Sequence, residues 1–281
     1  ADYELLERGL GFHALTIEDI RQRNQRPTFE DFERYSFAIL FGARCDHHGL
    51  TFVEYGLYAA PHYCVSVHHE PSQALETFLD RFRQHGQAPG DHDAPPMYSY
   101  LVMDQVVDGM FEVLDAIDGE VDDLMDAIIA GRTGSTLVEI TKLKRRVSEL
   151  RRVLGAQQDL FQRLVTHVVS AGKRDVAPYY RDVYDHVIRQ YDMVDSLRDL
   201  LSSAMDVHLS SVSNRLNSTV KALTVIASLF LPLTFLTGFF GMNFAALVDT
   251  IKEPWTFAAA LGVMGVSVVV QLALFRRRGW I

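Results

Sequence analysis

Two stretches of this 281-residue chain hold no charged side chain at all: 27 consecutive residues from Ala222 to Val248, and 22 from Pro254 to Phe275. Each exceeds the roughly 20 residues with which a helix crosses a hydrocarbon core about 30 Å thick. Only Asp249-Thr-Ile-Lys-Glu253 lies between them. The pair therefore reads as a transmembrane hairpin, residues 222–248 and 254–275 joined by an extracytoplasmic loop 249–253, and its two flanks must face the same side. Arg215 and Lys221 precede the first run, and Arg276, Arg277 and Arg278 follow the second, whereas the loop carries one Lys and two acids. The excess of basic residues on the flanks places both in the cytoplasm. The expected product is a multi-pass protein of the cell (inner) membrane with cytoplasmic N- and C-termini.

Charge then narrows the partners. Lys and Arg number 27 against 36 Asp and Glu, a formal net charge of -9. Nucleic acid is excluded as a partner, because phosphate binding needs a basic face; divalent cations and membrane lipid remain. From Asp104 to Asp126 the chain carries nine acidic residues and no basic one, and from Lys142 to Arg152 six basic residues and one acid. The two cysteines, Cys45 and Cys64, are too few for a disulfide framework or a zinc site. No P-loop occurs, and no nucleophile–base or catalytic-metal constellation points to an enzyme. Neither span contains Asp or Glu, which favours a channel over a proton-coupled transporter.

The part before the hairpin reads as α+β. Residues 36–41 (SFAILF), 51–58 (TFVEYGLY) and 62–67 (HYCVSV) are short, rich in β-branched and aromatic residues and bounded by turn formers, and they predict antiparallel strands. Helical spacing begins near Pro71, giving a helix over 73–84, a break from Gly86 to Pro96, and two long helices over 97–129 and 137–169. The acidic helix and the basic helix suit an antiparallel hairpin; two independently solvated faces are the other reading. Pro178 opens the last helix, and neither Pro nor Gly interrupts it before Lys221. One helix from 178 to 238 would be about 90 Å long at 1.5 Å per residue, too long to bury its apolar face alone. The chain is thus divided into a cytosolic α/β domain (1–96), a helical hairpin (97–177), a stalk (178–221), the two spans, and a basic tail (276–281).

Along this last helix one face reads Asp206, Leu209/Ser210, Ser213, Asn217, Val220, Thr224, Ala227, Leu231, Thr234, Gly238. Steps of three and four averaging near 3.5 residues are the period of a left-handed bundle. Small and hydroxyl residues here suit a tight helix–helix contact, or the wall of a pore with alternating polar and apolar rings. Two spans cannot enclose water, so a pore needs several copies around an axis.

The first span ends in "GFFGMNF". Glycines at 238 and 241 permit irregular backbone, which is tolerated at membrane depth only beside protein or water. Asn243 supplies an uncharged amide. A ring of amides and freed carbonyls suits a hydrated Mg²⁺, which sheds its water reluctantly. Two histidine pairs, His47-His48 and His68-His69, flank strands, but neighbours on a strand point to opposite faces and rarely share an ion.

Taken together, "YYRDVYDH" (179–186), "MDVHLSSVSNRLNSTVKALTVIASLFLPLTFLTGFFGMNF" (205–244), the basic "RRRGW", and "GFHALTIEDI" (11–20) followed by "RPTFEDF" resemble the CorA family of divalent-cation channels. The resemblance implies a homopentameric funnel, with the long helices lining the pore and the second spans outside them. It implies a selectivity filter at Gly241, Met242 and Asn243. The pore lining it implies is Gly238, Thr234, Leu231, Leu223, Val220 and Asn217, with Leu209 and Asp206 near the cytosolic end. It also implies a regulatory Mg²⁺ held by Asp19, with Glu18 nearby, against Asp182 of the adjacent subunit. Mg²⁺ is the expected cargo, with Co²⁺, Ni²⁺ or Zn²⁺ as others. A Zn²⁺ transporter of the ZntB type and a non-conducting membrane-anchored sensor are the alternatives. Family members usually carry further strands before residue 1, so the N-domain is expected to be incomplete. They also often carry an acidic "MPE" loop, where this chain has "FAALVDTIKEPW".

Overall fold

Strand β2, Ser36–Asp46, sends its side chains into two different cores. Phe37, Ile39 and Phe41 are buried on one face of the sheet with Tyr58, while Ala38 and Leu40 are buried on the other with Tyr55 and Leu57. That period of two is the pleat of a strand. Burial on both faces explains why the segment reads as a continuous apolar run rather than an alternation. The computed structural model describes residues 2–23, 25–46, 49–85, 95–131, 136–242 and 254–280.

Four strands form one antiparallel meander in chain order: β1 Thr28–Asp31, β2, β3 Gly49–Ala59 and β4 Cys64–His68. Strands β2 and β3 pair along their whole length, from Ser36 opposite Ala59 to Asp46 opposite Gly49. Strand β1 is a short edge strand that the sequence pattern does not reveal. It has only four residues, two of them acidic, which is how edges are kept from pairing with other chains.

The sheet is covered on both sides. One face packs against a three-residue helix α1 (Asp2–Glu4), the π-helical turn Leu5–Gly9 and helix α2 (Ala14–Gln22), through Leu6, Phe12, Ile17 and Ile20. The other face carries α3 (Gln73–His85), α4 (Pro95–Ile129), α5 (Thr136–Ser170) and the first turns of α6 (Ala177–Phe240). Helix α7 (Pro254–Arg277) follows. The residues group into two compact units, Ala1–Val207 and His208–Ile281. The antiparallel sheet with helices, the long α6 and the apolar α7 are the fold class expected from the sequence.

With Ala43 and Cys45 of β2 and Leu50 and Phe52 of β3 packed against it, a second core is closed by α4, α5 and α6. Met110, Leu114, Ile117 and Val121 of α4 meet Val147, Leu150 and Leu154 of α5 and Val194, Leu197 and Leu201 of α6. Charge has a small part in this. Arg146 reaches Glu120 across the α4–α5 seam, whereas Arg151 turns to Asp195 of α6 at 2.9 Å and Arg145 to Glu149 within α5 at 3.1 Å. The more exposed pairs among these, Arg151–Asp195 and Arg145–Glu149, contribute about 0–1 kcal/mol each. The apolar stripe holds the hairpin together.

Two close fits have measurable consequences. Helix α2 lies on the sheet where β3 offers Gly56, and a Cβ placed there would come within 2.8 Å of both Cγ1 and Cδ1 of the buried Ile20. Gly56→Ala is expected to lower unfolding free energy by about 1–3 kcal/mol, read from denaturant titration, because the buried Ile20 must shift to admit the methyl group. At the edge of β2, β1 pairs only with Ser36–Ile39. The next inward-facing donor, the Phe41 N–H, is taken instead by Oε1 of Gln157 on α5, at 2.6 Å in a fully buried position. Gln157→Met keeps the bulk and removes the acceptor. It should cost about 1–3 kcal/mol, the desolvation penalty of one orphaned amide, in the same titration.

Candidate ion pathway and carboxylate cluster

Helix α6 changes character along one face. Val194, Leu197, Leu201, Ala204 and His208 form its buried stripe, at steps of three and four. A residue two positions on is turned by about 200°, so Asp206 lies opposite Ala204 and is exposed. The line that starts there is the one singled out in the sequence. Leu209, Asn217, Val220, Leu223, Leu231, Thr234 and Gly238 are all exposed within the single chain. Leu223 is 66% and Leu231 72% exposed. They border an open groove of about 480 Å³ with Thr224, Ala227 and Ser228. Aliphatic side chains this exposed, in a row, are stable only against lipid or other protein. The helices α6 and α7 each contain a stretch long and apolar enough to span a membrane, almost wholly unburied within the chain.

The threonines of this segment donate their hydroxyl protons to the helix itself. Thr224 donates to the Val220 carbonyl at 2.8 Å, Thr234 to Phe230 at 2.8 Å and Thr237 to Leu233 at 3.0 Å. Pro232 sits inside the helix. It has no N–H for the carbonyl four residues back, and the threonine bonds bracket that gap. The helix ends tightly: the Gly241 N–H reaches the Thr237 carbonyl at 3.0 Å and the Met242 N–H the Phe239 carbonyl at 3.3 Å. A Cβ at Gly241 would stand 3.1 Å from the Thr237 oxygen, a tight contact that glycine avoids. Gly241 and Met242 are both exposed, and Asn243 lies outside the described residues.

The expected regulatory carboxylates are apart in the single chain. Glu18 on α2 is exposed and accepts from Gln22 Nε2 at 2.6 Å. Asp19 is half-buried on the same helix. Asp182, on α6, has His186 Nε2 at 4.0 Å and is 60% exposed at its side chain. Among the described residues no hydrogen bond or ion pair joins Asp182 to Glu18 or Asp19.

Beside Asp182 stands a group that the sequence reading missed. Asp104 and Asp108 project from α4 one turn apart, and His186 projects from α6; one donor atom of each lies within 4.8 Å of the others. The His186 Nδ1–Asp108 Oδ1 distance is 2.8 Å. Burial raises the Asp104 carboxyl from 3.8 to about 6, helped by Asp108 and Asp182 and opposed by His186. Burial likewise lifts the nearby Tyr100 phenol to about 12, with Asp104, Asp182 and Asp108 adding to it. Negative charge is therefore in excess here, as around a cation site. The available signal was a pair of i,i+4 spacings, Asp104/Asp108 and Asp182/His186, which put two donors on one face of each helix.

The histidine pairs do not assemble a site among the described residues. His68 Nδ1 lies 2.7 Å from the Glu70 carbonyl and His69 Nε2 3.0 Å from the Ile20 carbonyl. His47 and His48 lie outside the described residues.

The family model described as CorA-like Mg²⁺ transporter protein matches residues 1–277. The cobalt/magnesium transport protein CorA of Thermotoga maritima is 33% identical over 273 residues, which is 96% of this chain and 77% of that one. Among solved structures, the complete CorA magnesium transporter of Methanocaldococcus jannaschii aligns with a TM-score of 0.88 at 20% identity, over 99% of this chain and 87% of that one. The full-length CmaX protein aligns at 0.77 and 20% identity, over 98% and 84%. These two structural likenesses speak for the fold. A family match along nearly the whole chain, joined to a relative one-third identical over the same stretch, places this membrane protein in the CorA-like Mg²⁺ transporter family, whose members are transporters or channels rather than enzymes.

Proposed function

We propose that the chain assembles as a homopentamer and conducts Mg²⁺ into the cell, driven by the membrane potential and closed by Mg²⁺ bound between cytosolic domains. The observation that carries this reading is the exposed line on α6. Asp206, Leu209, Asn217, Val220, Leu223, Leu231, Thr234 and Gly238 share one face of an unbroken helix. Five such faces around an axis would enclose a path with an acidic cytosolic end, a long apolar middle and a Gly241-Met242-Asn243 filter at the outer end. Mostly aliphatic side chains leave that middle with few groups able to strip a hydrated ion. Mg²⁺ would therefore pass with its water, met by the filter's amides and carbonyls. Two charges moving inward through 100 mV gain about 4.6 kcal/mol, so no fuel is needed for a roughly thousandfold gradient.

In this reading Asp19, with Glu18, faces Asp182 of the neighbouring subunit. Asp104, Asp108 and His186 extend the Asp182 site inward, giving an ion carboxylate and imidazole donors from both α4 and α6. Carboxylates this crowded repel one another until a divalent cation sits among them. Loss of the ion would loosen the subunits and open the path.

Two measurements test this. In proteoliposomes with an imposed negative-inside potential, Asn243→Ala is expected to abolish Mg²⁺ influx while the pentamer, sized by native mass spectrometry, persists. Unchanged influx would overturn the filter assignment. Zn²⁺ uptake that follows a proton gradient and ignores the potential would mark a ZntB-like transporter instead, and a wild type without flux would mark a sensor.

The second concerns the cluster. Folded Asp104 keeps its proton up to about pH 6, whereas the ordinary carboxyl loses it near 3.8. The folded state thus binds more protons between those values, and metal-free stability falls as pH rises through that window. Asp104→Asn should raise the metal-free melting temperature at pH 7.5 by a few degrees and flatten the decline between pH 4 and 6. It should also shrink the stabilisation given by millimolar Mg²⁺. An unaltered Mg²⁺ effect would remove Asp104 from the site.

A further inference from the structure

Helix α7 ends in a firmly built turn. Gly279 takes a left-handed backbone, with φ of 65°. The Trp280 N–H then bonds back to the Phe275 carbonyl at 2.9 Å and the Gly279 N–H to the Arg276 carbonyl at 3.2 Å. The indole of Trp280 stacks on Phe275, with centroids 5.8 Å apart and planes 18° apart. These two bonds and the apolar contact make up a complete Schellman cap. From α6, Lys221 Nζ donates to the Gly279 carbonyl at 2.7 Å.

The residues held by this cap are Arg276, Arg277 and Arg278. All three are exposed, and among the described residues none has an acidic partner. Successive residues turn by about 100°, so the three guanidinium groups fan over about 200° of the helix circumference. Lys221 adds a fourth cation at the same level. Just before them lies the apolar run from Pro254 to Phe275, and the Phe275–Trp280 stack is the kind of aromatic pair found where hydrocarbon meets headgroups. Cationic forks at that depth meet phosphate, which guanidinium binds through paired hydrogen bonds.

We propose that the Arg276–Arg278 fan, set by the Schellman cap and by Lys221, is a binding site for the headgroup phosphate of anionic phospholipids. This rests on the membrane placement of the hairpin but not on ion conduction. Charge complementarity selects anionic over zwitterionic lipid, in which a choline group offsets the phosphate. The cap explains why the cations are held in place instead of trailing from a frayed end.

Trp280 is the natural reporter, since Trp255 is the only other tryptophan. The full chain carrying Trp255→Phe would be reconstituted in phosphatidylcholine vesicles holding a minority of brominated-chain phosphatidylglycerol or, in parallel, the same fraction of brominated-chain phosphatidylcholine. Trp280 fluorescence should be quenched severalfold more effectively by the anionic lipid. Arg277→Gln, which removes one of the four cations at this level, should lower that preference without abolishing it. Arg276→Gln, Arg277→Gln and Arg278→Gln together should bring it to parity. Lys221→Met keeps all three arginines yet frees the cap, and should weaken the preference; it serves as the independent variant should the triple one insert poorly on flotation. Equal quenching by both lipids in the parent chain, or a preference that survives the triple change, would overturn the proposal. Relief of the preference by millimolar inorganic phosphate would overturn the lipid assignment in favour of a free anion. Flux is not read, so the outcome is separate from that of the channel proposal.

Discussion

Inside a hydrocarbon layer every backbone N–H and C=O must be bonded within the protein, because no water is present to take them. Helix α6 meets that demand by remaining one helix from Ala177 to Phe240. Pro178 sits in its first turn, where no N–H is needed; Pro232, inside the helix, removes one bond from the ladder, and Thr234 and Thr237 turn their hydroxyls onto nearby carbonyls. Apart from the one carbonyl that Pro232 leaves open, the backbone pairs with itself, and it is mainly the partners of its side chains that change along the helix. In the first unit they are the sheet and the α4–α5 hairpin, which bury one stripe. In the second unit most of the described apolar side chains are exposed within the chain. Assembly and membrane are the available sources of cover, and one helix therefore links soluble packing to lipid exposure.

This explains why some of the fold is legible in the sequence and some is not. The spans show plainly because charge is costly in hydrocarbon, and 27 uncharged residues in a row leave few other readings. Strands β2 and β3 show because burial on two faces enriches β-branched and aromatic residues. Each is nonetheless longer in the structure, ending at Asp46 and beginning at Gly49, because charged and small residues continue a ladder without altering its hydrogen bonds. Strand β1 is hidden. Its two acids and short length come from its role as an edge, and an edge lacks the apolar pattern by which strands are recognised. The opposite charges of α4 and α5 were a poor guide to their pairing: one ion pair crosses the seam among the described residues, and the interdigitated aliphatics do the rest.

The functional residues divide in a similar way. A stripe at helical spacing can be written down from sequence, and the structure finds its members exposed on one face. The cluster of Asp104, Asp108 and His186 could not be singled out in this manner. Asp104 and Asp108 are two of nine acids in one run, and nothing local distinguishes those that face another helix from those that face water. Only the packing of α4 against α6, 78 residues apart at the His186–Asp108 contact, selects them. Desolvation then marks Asp104 apart from its neighbours. Solvated acids and site acids have the same letters; partners from distant sequence make the difference.

The buried Gln157–Phe41 bond has a consequence for biogenesis. Its two ends are 116 residues apart in the chain, so at translation speeds of about 5–20 residues per second the acceptor leaves the ribosome roughly 6 to 23 seconds after the donor. For that interval the β2–β3 hairpin stands with an unplugged flank, open to any extended segment nearby. The two greasy spans are made after that, when the domain ahead of them already has the parts to close.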